Sequence, residues 1–439
     1  MRQDNRHADR RHADRRHDDP PETAPGVDVA QRHVVRVLVV AQILGGLGAG
    51  ATLSLGALLA AETSGSSAWS GMAATMATLG AAAAAVPLAT LAQRRGRRVS
   101  LATGSVLACC GALLAITAAY LSLFPLLLVA LVLLGSGSAT GLQARFAATD
   151  LATESTRGRS LSLVVWSTTI GAVLGPNLFE PGQVVAGFLG IPALSGGFVF
   201  TAAAQVAAAL VYTVGLRPDP LLTALRRQAA DRRADAPAPL KRRGFAVLAG
   251  NSGARFAVVT LMVSHAAMVS LMSMTPVHLH DHGAGLSVVG LTISLHVAGM
   301  YALSPVFGWI ADRAGAARGI LCGQILLLGA LLVAWRGAES AVAVTVSLIL
   351  LGLGWSASVV SASSLLAGAV DVGERAPVQG TSDLLMNLAG ATGGALAGPA
   401  LVLMGYSGLG LAAAVLVAVL LAWTLARLPR SRSAAPAGV

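Results

Sequence analysis

Ionisable side chains are scarce in the apolar parts of this chain, so the few that occur there are the first candidates for chemistry. His265 and His296 each stand about ten residues inside a long apolar window, which places both rings ~15 Å deep in a ~30 Å hydrocarbon layer. An imidazole titrates near neutral pH, so a facing pair can carry a proton or orient a polar ligand. The competing reading is a neutral ring bonded to a nearby hydroxyl. No Cys or carboxylate accompanies the pair at that depth, which argues against a metal site. Asp383 stands about one turn inside a third window; it is a candidate proton acceptor, or a partner for Arg313 or Arg375. Glu180 is a further acid near a window end. His278, His280, Asp281 and His282 cluster at another window end, where their spacing fits either a metal or an exposed loop. Gln42, Gln143, Asn177 and Gln205 are the other polar groups at depth, beside Met268, Met272 and Met274. Such a lining suits an uncharged or amphipathic organic molecule better than a sugar or an inorganic ion.

The elements that position these residues are read from hydropathy. Of 439 residues, 55% are hydrophobic and 12% charged, with a mean hydropathy of +0.70. A soluble chain carries about 25% charged residues. Windows such as Ser100–Tyr120, Leu121–Gly141 and Ser407–Ala426 contain no charge, and each reaches the ~20 residues that a bilayer crossing requires. In lipid the backbone must satisfy itself, so these windows are helices. The full set lies near 34–60, 69–91, 100–120, 121–145, 160–179, 195–215, 256–278, 286–310, 318–335, 341–367, 379–403 and 407–426. The pattern predicts an all-α integral membrane protein with twelve transmembrane helices in two pseudo-symmetric six-helix bundles. The expected divisions are a disordered tail over 1–33, a bundle over 34–216, a charged linker over 217–245, a second bundle over 246–427 and a tail over 428–439. The first tail holds a crude repeat, Arg6–Arg10 then Arg11–Arg15, and does not read as a signal peptide. Cys109, Cys110 and Cys322 fall in apolar windows and read as small packing residues.

Basic residues set the expected orientation. Arg94, Arg95, Arg97, Arg98, Arg157, Arg159, Arg313, Arg318, Arg375 and the arginines of the linker and C-terminal tail all fall on the side of the N-terminus, whereas Arg336 falls on the other. Both termini are therefore expected in the cytoplasm of a multi-pass protein of the inner membrane. The net charge of +11 reads as this topology signal and not as a nucleic-acid surface. Trp69, Tyr120, Trp335 and Tyr406 fall at the expected outer ends.

Two patterns recur in the same order in the two halves. The loop after the second helix reads Gln93-Arg94-Arg95-Gly96-Arg97-Arg98, and that after the eighth runs from Gly308 through Asp312 and Arg313 to Gly315. The fifth helix holds Gly171, Gly175 and Pro176; the eleventh holds Gly394, Gly398 and Pro399. On these residues the chain resembles the major facilitator superfamily over roughly 34–426, and looks like its actinobacterial drug or multidrug exporter-like members. The loop motif matches in full at Gly308, Asp312, Arg313 and Gly315. Its first copy matches at Arg94, Gly96 and Arg98, with Gln93 and Ala89 in place of Asp and Gly. The Gly-x-x-x-Gly-Pro pattern is similar to one linked to drug–proton antiporters.

The motifs have a physical logic of their own. Small residues four apart allow close helix contact, expected here between the halves. A Pro removes one backbone hydrogen bond and permits a bend. Asp312 and Arg313 can pair with helix ends and close the cytoplasmic mouth. Gln93 carries no charge, so Arg94 is expected to pair with Asp150 or Glu154. Arg97 and Arg98 have the competing reading of a solvated cluster that only fixes topology. No acid stands in the first helix, and Arg145 lies near the cytoplasmic end of the fourth. The expected function is secondary transport of a small, largely apolar or amphipathic organic molecule by alternating access, as proton-coupled efflux. Protons and lipid are the other expected partners, with the protein working as a monomer and without cofactor, metal or enzyme activity. Uptake or facilitated diffusion of a metabolite, and a non-transporting membrane scaffold, are the alternatives. The absence of a Gly-x-x-x-x-Gly-Lys-Ser pattern argues against an ATP-driven pump.

Overall fold

The structure, a computed structural model, describes residues 25–65, 69, 72–174, 179–231, 244–284 and 286–427. Among them the chain is helical. In the first half α1 is Pro25–Ser64, α2 Met72–Arg95, α3 Arg97–Tyr120, α4 Phe124–Ala147, α5 Arg157–Leu174, α6 Phe179–Leu189 and α7 Gly196–Gly215. α8, Pro220–Asp231, follows. In the second half α9 is Gly244–Gly250, α10 Ser252–Asp281, α11 Leu286–Tyr301, α12 Ser304–Ala314, α13 Ala316–Arg336, α14 Ala341–Ala369 and α15 Val372–Arg427. Nine candidate spans among the described residues are long and apolar enough to cross a membrane.

The last of these is two helices joined at Gly405, whose φ of 69° and ψ of 178° lie outside the helical region. Contacts with α10 show the reversal. Gly390 lies against His265, Tyr406 bonds Thr275, and Trp423 packs back on Phe256. Gly96 and Gly315 take the same positive φ, 89° and 90°, in the turns that end α2 and α12. Both belong to the loop motif, and a side chain there would be strained. The first tail's repeat, most of the linker beyond Asp231, Gly175 and Pro176 lie outside the described residues. Two segments expected as loop are helical instead. α6 runs on from the last residue of the fifth window, and α8 occupies the linker with Leu221 and Ala224 buried on one face.

Helices within each half meet through small residues. A Cβ on Gly80 would lie 2.8 Å from the Val132 Cα, and one on Gly135 2.6 Å from the Ala81 amide, joining α2 to α4. Gly352 and Gly299 do the same for α14 and α11, where a Cβ on Gly352 would lie 3.0 Å from the Met300 amide. Gly171 corrects the sequence expectation. A Cβ there would lie 2.6 Å from the Gly46 Cα on α1, so this glycine packs inside the first half and not between halves. Gly394 likewise faces Val269 of its own half, and Gly398 has open space around it. Pro399 lies within α15.

The seam between the halves uses other small residues on the same helices. Gly158 at the start of α5 meets Gly308 of α12, where a Cβ on either would lie 2.6–2.7 Å from the other's carbonyl oxygen. The equivalent crossing sets Gly380 of α15 against Ala89 of α2. Ala89 is the position where the first motif copy lacks its glycine, and Gly380 supplies the missing space from the other side.

Candidate translocation site

Every hydrogen bond or ion pair that joins the halves among the described residues lies toward one end of the molecule, the end of the arginine-rich turns. Gln93 donates to the Gly373 carbonyl at 3.3 Å, and Ser304 to the Ser162 carbonyl at 3.1 Å. Arg375 reaches the Thr149 carbonyl at 3.5 Å. The seam is closed at this basic end.

Arg97 is the centre of the first lock. Its Nε lies 2.8 Å from Asp150 Oδ2 and its Nη2 3.3 Å from Oδ1, with both side chains fully buried. Nη2 also donates to Gln379 of α15, across the seam. This overturns two expectations. Arg97 is not solvated, and Asp150 pairs with Arg97 instead of Arg94, which is exposed. Glu154 is exposed in a short turn before α5. Arg98 offers its backbone N–H to Asp219 at 2.8 Å. Helix phase explains the choice. Arg97, Ser100, Leu101, Gly104, Ser105 and Ala108 form the buried stripe of α3, at the spacing of one helix face.

Asp312 forms the second lock. Its Oδ1 accepts the Gly158 N–H at 2.6 Å and its Oδ2 the Arg159 N–H at 2.8 Å. A carboxylate at a helix start satisfies unpaired donors and complements the helix dipole. Arg313 does not join it; its guanidinium lies 5.2 Å from the Trp309 ring centroid. Replacing Asp312 with Asn removes the charge and is expected to weaken the closed seam by about 0.5–2 kcal/mol. A cysteine at buried Ser162 should then react several-fold faster with a maleimide in D312N than in the parent. Equal labelling rates would make Asp312 an ordinary surface acid.

The third contact lies deeper. Asp383 Oδ1 accepts from Arg145 Nη2 at 2.6 Å, joining α15 to α4, and both side chains are nearly fully buried. The partner of Asp383 is thus Arg145, not Arg313 or Arg375. Asp383 also sits deeper than the apolar window implied. α15 begins at Val372, so the acid stands eleven residues from the helix start, ~16 Å along the axis. Among the described residues Asp383 Oδ2 and Arg145 Nε have no partner.

Beyond this pair, away from the basic end, lies an aromatic group on the second half. The Trp355 Nε1–H donates to His265 Nδ1 at 3.0 Å. Tyr301 meets the Trp355 ring edge-on at 5.9 Å. The opposite edge of His265 lies against Gly390, where a Cβ would come 2.8 Å from Nε2. His265 and Trp355 stand near the middle of α10 and α14. A neutral His265 accepting at Nδ1 carries its own proton on Nε2, and can donate there.

His296 does not share this group, contrary to expectation. Its Nδ1 lies 2.7 Å from the Leu348 carbonyl, and the ring is fully buried. Trp355 and Leu348, the anchors of the two histidines, are seven residues apart on α14, ~10 Å in depth. The outer histidines also find separate roles. His278 is buried, bonds the Ala338 carbonyl at 2.8 Å and stacks on Tyr406 at 4.2 Å. His282 lies 3.7 Å from Glu339 at the surface. No group of three His, Cys, Asp or Glu able to hold a metal occurs among the described residues. Sequence reading missed Trp355, Tyr301 and Gln379. An aromatic residue in the middle of an otherwise serine- and alanine-rich span was the available signal.

The comparisons agree with this architecture. The chain matches the Major Facilitator Superfamily over residues 38–278 and again over 256–439. It is 37% identical over 394 residues to the "Uncharacterized MFS-type transporter YddS" of Bacillus subtilis (strain 168), covering 89% of each chain. It is 26% identical over 361 residues to the riboflavin transporter RfnT of Brucella anthropi, covering 81% of this chain and 86% of that one. Among solved structures it is similar to the human organic anion transporter MFSD10 (TETRAN), with a TM-score of 0.69, 18% identity, and coverage of 92% of this chain and 100% of the other. Built of paired helical halves with the loop motif at their seam, the chain belongs to the major facilitator superfamily and is a membrane transporter.

Proposed function

We propose that the protein exports a small, amphipathic organic molecule bearing a flat ring in exchange for protons, across the inner membrane, with both termini in the cytoplasm. The observation that carries this reading is the buried Arg145–Asp383 pair, which joins the halves beneath the His265–Trp355–Tyr301 group. The aromatic faces suit a planar apolar ring, and the His265 Nε2–H supplies one directional polar contact. Asp383 is the proton acceptor. Protonation cancels its charge, weakens its hold on Arg145 and favours opening at the basic end. In this reading the basic end faces the cytoplasm, and the seam shut there closes the cytoplasmic mouth. Reporter fusions test that assignment, with Arg95 expected inside and Asp281 outside; the reverse result would invert the cycle.

The substrate site has its own test. Trp355→Phe keeps a ring but deletes the donor to His265. The loss of one hydrogen bond corresponds to about 1–1.5 kcal/mol, or roughly tenfold in affinity. KM for a transported aromatic cation or neutral dye in everted vesicles should rise by that factor, with the seam still closed by thiol labelling. His296→Gln should leave KM unchanged. A W355F protein with wild-type KM would remove this group from the substrate path.

A second reading is favoured by one observation. The relative named a riboflavin transporter points to a planar heterocyclic metabolite as cargo, moved through the same fold. Counterflow of labelled riboflavin in proteoliposomes separates the readings; no counterflow, with dye transport intact, supports export of foreign compounds.

A further inference from the structure

At the basic end a cavity of about 520 Å³ opens between α8, the turn after α4 and the start of α15. Its polar lining is Arg375, Arg227, Gln228 and Asp150. Arg375 is 8% exposed, yet its Nε has no partner among the described residues, and Nη1 reaches only the Thr149 carbonyl at 3.5 Å. A guanidinium cannot shed its charge, so a nearly buried one with its Nε–H unmet calls for an acceptor. Asp150 adds an opposite charge nearby, but its side-chain hydrogen bonds go to Arg97. Asp371, the other acid acting on Arg375, is exposed to water. Arg97 and Arg157 add positive field from behind. On the facing wall α8 presents Arg227 and Gln228 beside Ala224, and the buried Leu221 and Ala224 anchor that helix.

We infer that this cavity binds a phosphate-type oxyanion, chelated between Arg375 of α15 and Arg227 of α8. The planar fork of arginine matches the tetrahedral oxygens of a phosphoryl group, and the Gln228 amide adds a neutral donor. The site exists only while the seam is shut, since its walls belong to the second half, to α8 and to the Asp150–Ala152 turn of the first half. An anion bound there stabilises the closed basic end and slows opening, by binding one state and not the other. Free inorganic phosphate and the headgroup of an anionic phospholipid share this chemistry.

The test uses the full-length protein in phosphatidylcholine nanodiscs. Thermal stability is titrated with potassium phosphate against potassium chloride at equal ionic strength. In a second arm, nanodiscs containing phosphatidylglycerol replace the titrant. A phosphate-specific rise in Tm identifies a free anion, and a rise only with phosphatidylglycerol identifies a headgroup; either supports the site. Arg227→Gln, an exposed change that spares the fold, should raise the midpoint concentration about tenfold by removing one charge-assisted contact. Arg375→Gln should abolish the response, and R227Q keeps the test decisive if that variant does not fold. No rise in either arm, or a rise with an unchanged midpoint in R227Q, would overturn the proposal.

Discussion

Asp383→Asn is expected to open the basic end and uncouple transport. The substitution leaves the Arg145 guanidinium 2% exposed with no anionic partner, a penalty of about 3–5 kcal/mol for a buried pair that loses one member. Neither side chain is accessible enough for water to screen the loss. The closed basic end is therefore disfavoured by roughly 10²- to 10⁴-fold. Spin labels at Arg95 and Asp371, both exposed on opposite halves, should report a longer and broader distance distribution. Uphill transport driven by a proton gradient should vanish, while downhill movement of substrate persists. Arg145→Gln combined with D383N removes both charges and should recover more closure than either single change. Wild-type distances in D383N, with normal coupling, would show that the pair neither gates nor carries the proton.

Asp150→Ala should have the largest effect on stability. Arg97 is fully buried and would retain only Gln379 as a side-chain partner. The same penalty of about 3–5 kcal/mol applies, here inside the first half as well as across the seam. Size-exclusion profiles after heating should show early loss of the folded species in D150A. Arg97→Lys should be nearly as damaging, because an ammonium cannot reproduce the two-pronged contact. Arg94→Ala, three residues before the buried arginine but exposed, should fall within about 0.5 kcal/mol of the parent. Equal stability of D150A and R94A would return the arginine cluster to a purely topological role.

The membrane architecture was legible because a bilayer imposes a length and a polarity that hydropathy reads directly. The loop motif was legible because Gly96 and Gly315 both occupy a backbone conformation that favours glycine. Partner choice was not. The four arginines between α2 and α3 are alike by type, and only helix phase separates buried Arg97 from exposed Arg94. Depth was misjudged at Asp383 because α15 starts with Val372, Glu374 and Arg375, whose charges delay the apolar window past the true helix start. The two deep histidines were matched by distance from their helix ends, which gives no azimuth. His296 turns into α14 at Leu348, whereas His265 meets Trp355 two turns away.

The glycine contacts inside each half have a mechanical consequence. Where Gly80 meets Val132, Gly135 meets Ala81, and Gly352 meets Gly299 and Met300, main chain touches main chain. Such a junction has no rotamers to exchange and no methyl group to slide past. It yields by separation or not at all, and separation in lipid forfeits dispersion contacts without a hydrophobic force to restore them. Each half is therefore stiff, and the looser surface is the seam near Gly158–Gly308 and Ala89–Gly380. Movement between the halves is therefore confined to the seam that the Arg97, Asp312 and Asp383 contacts hold shut, and does not spread into either half.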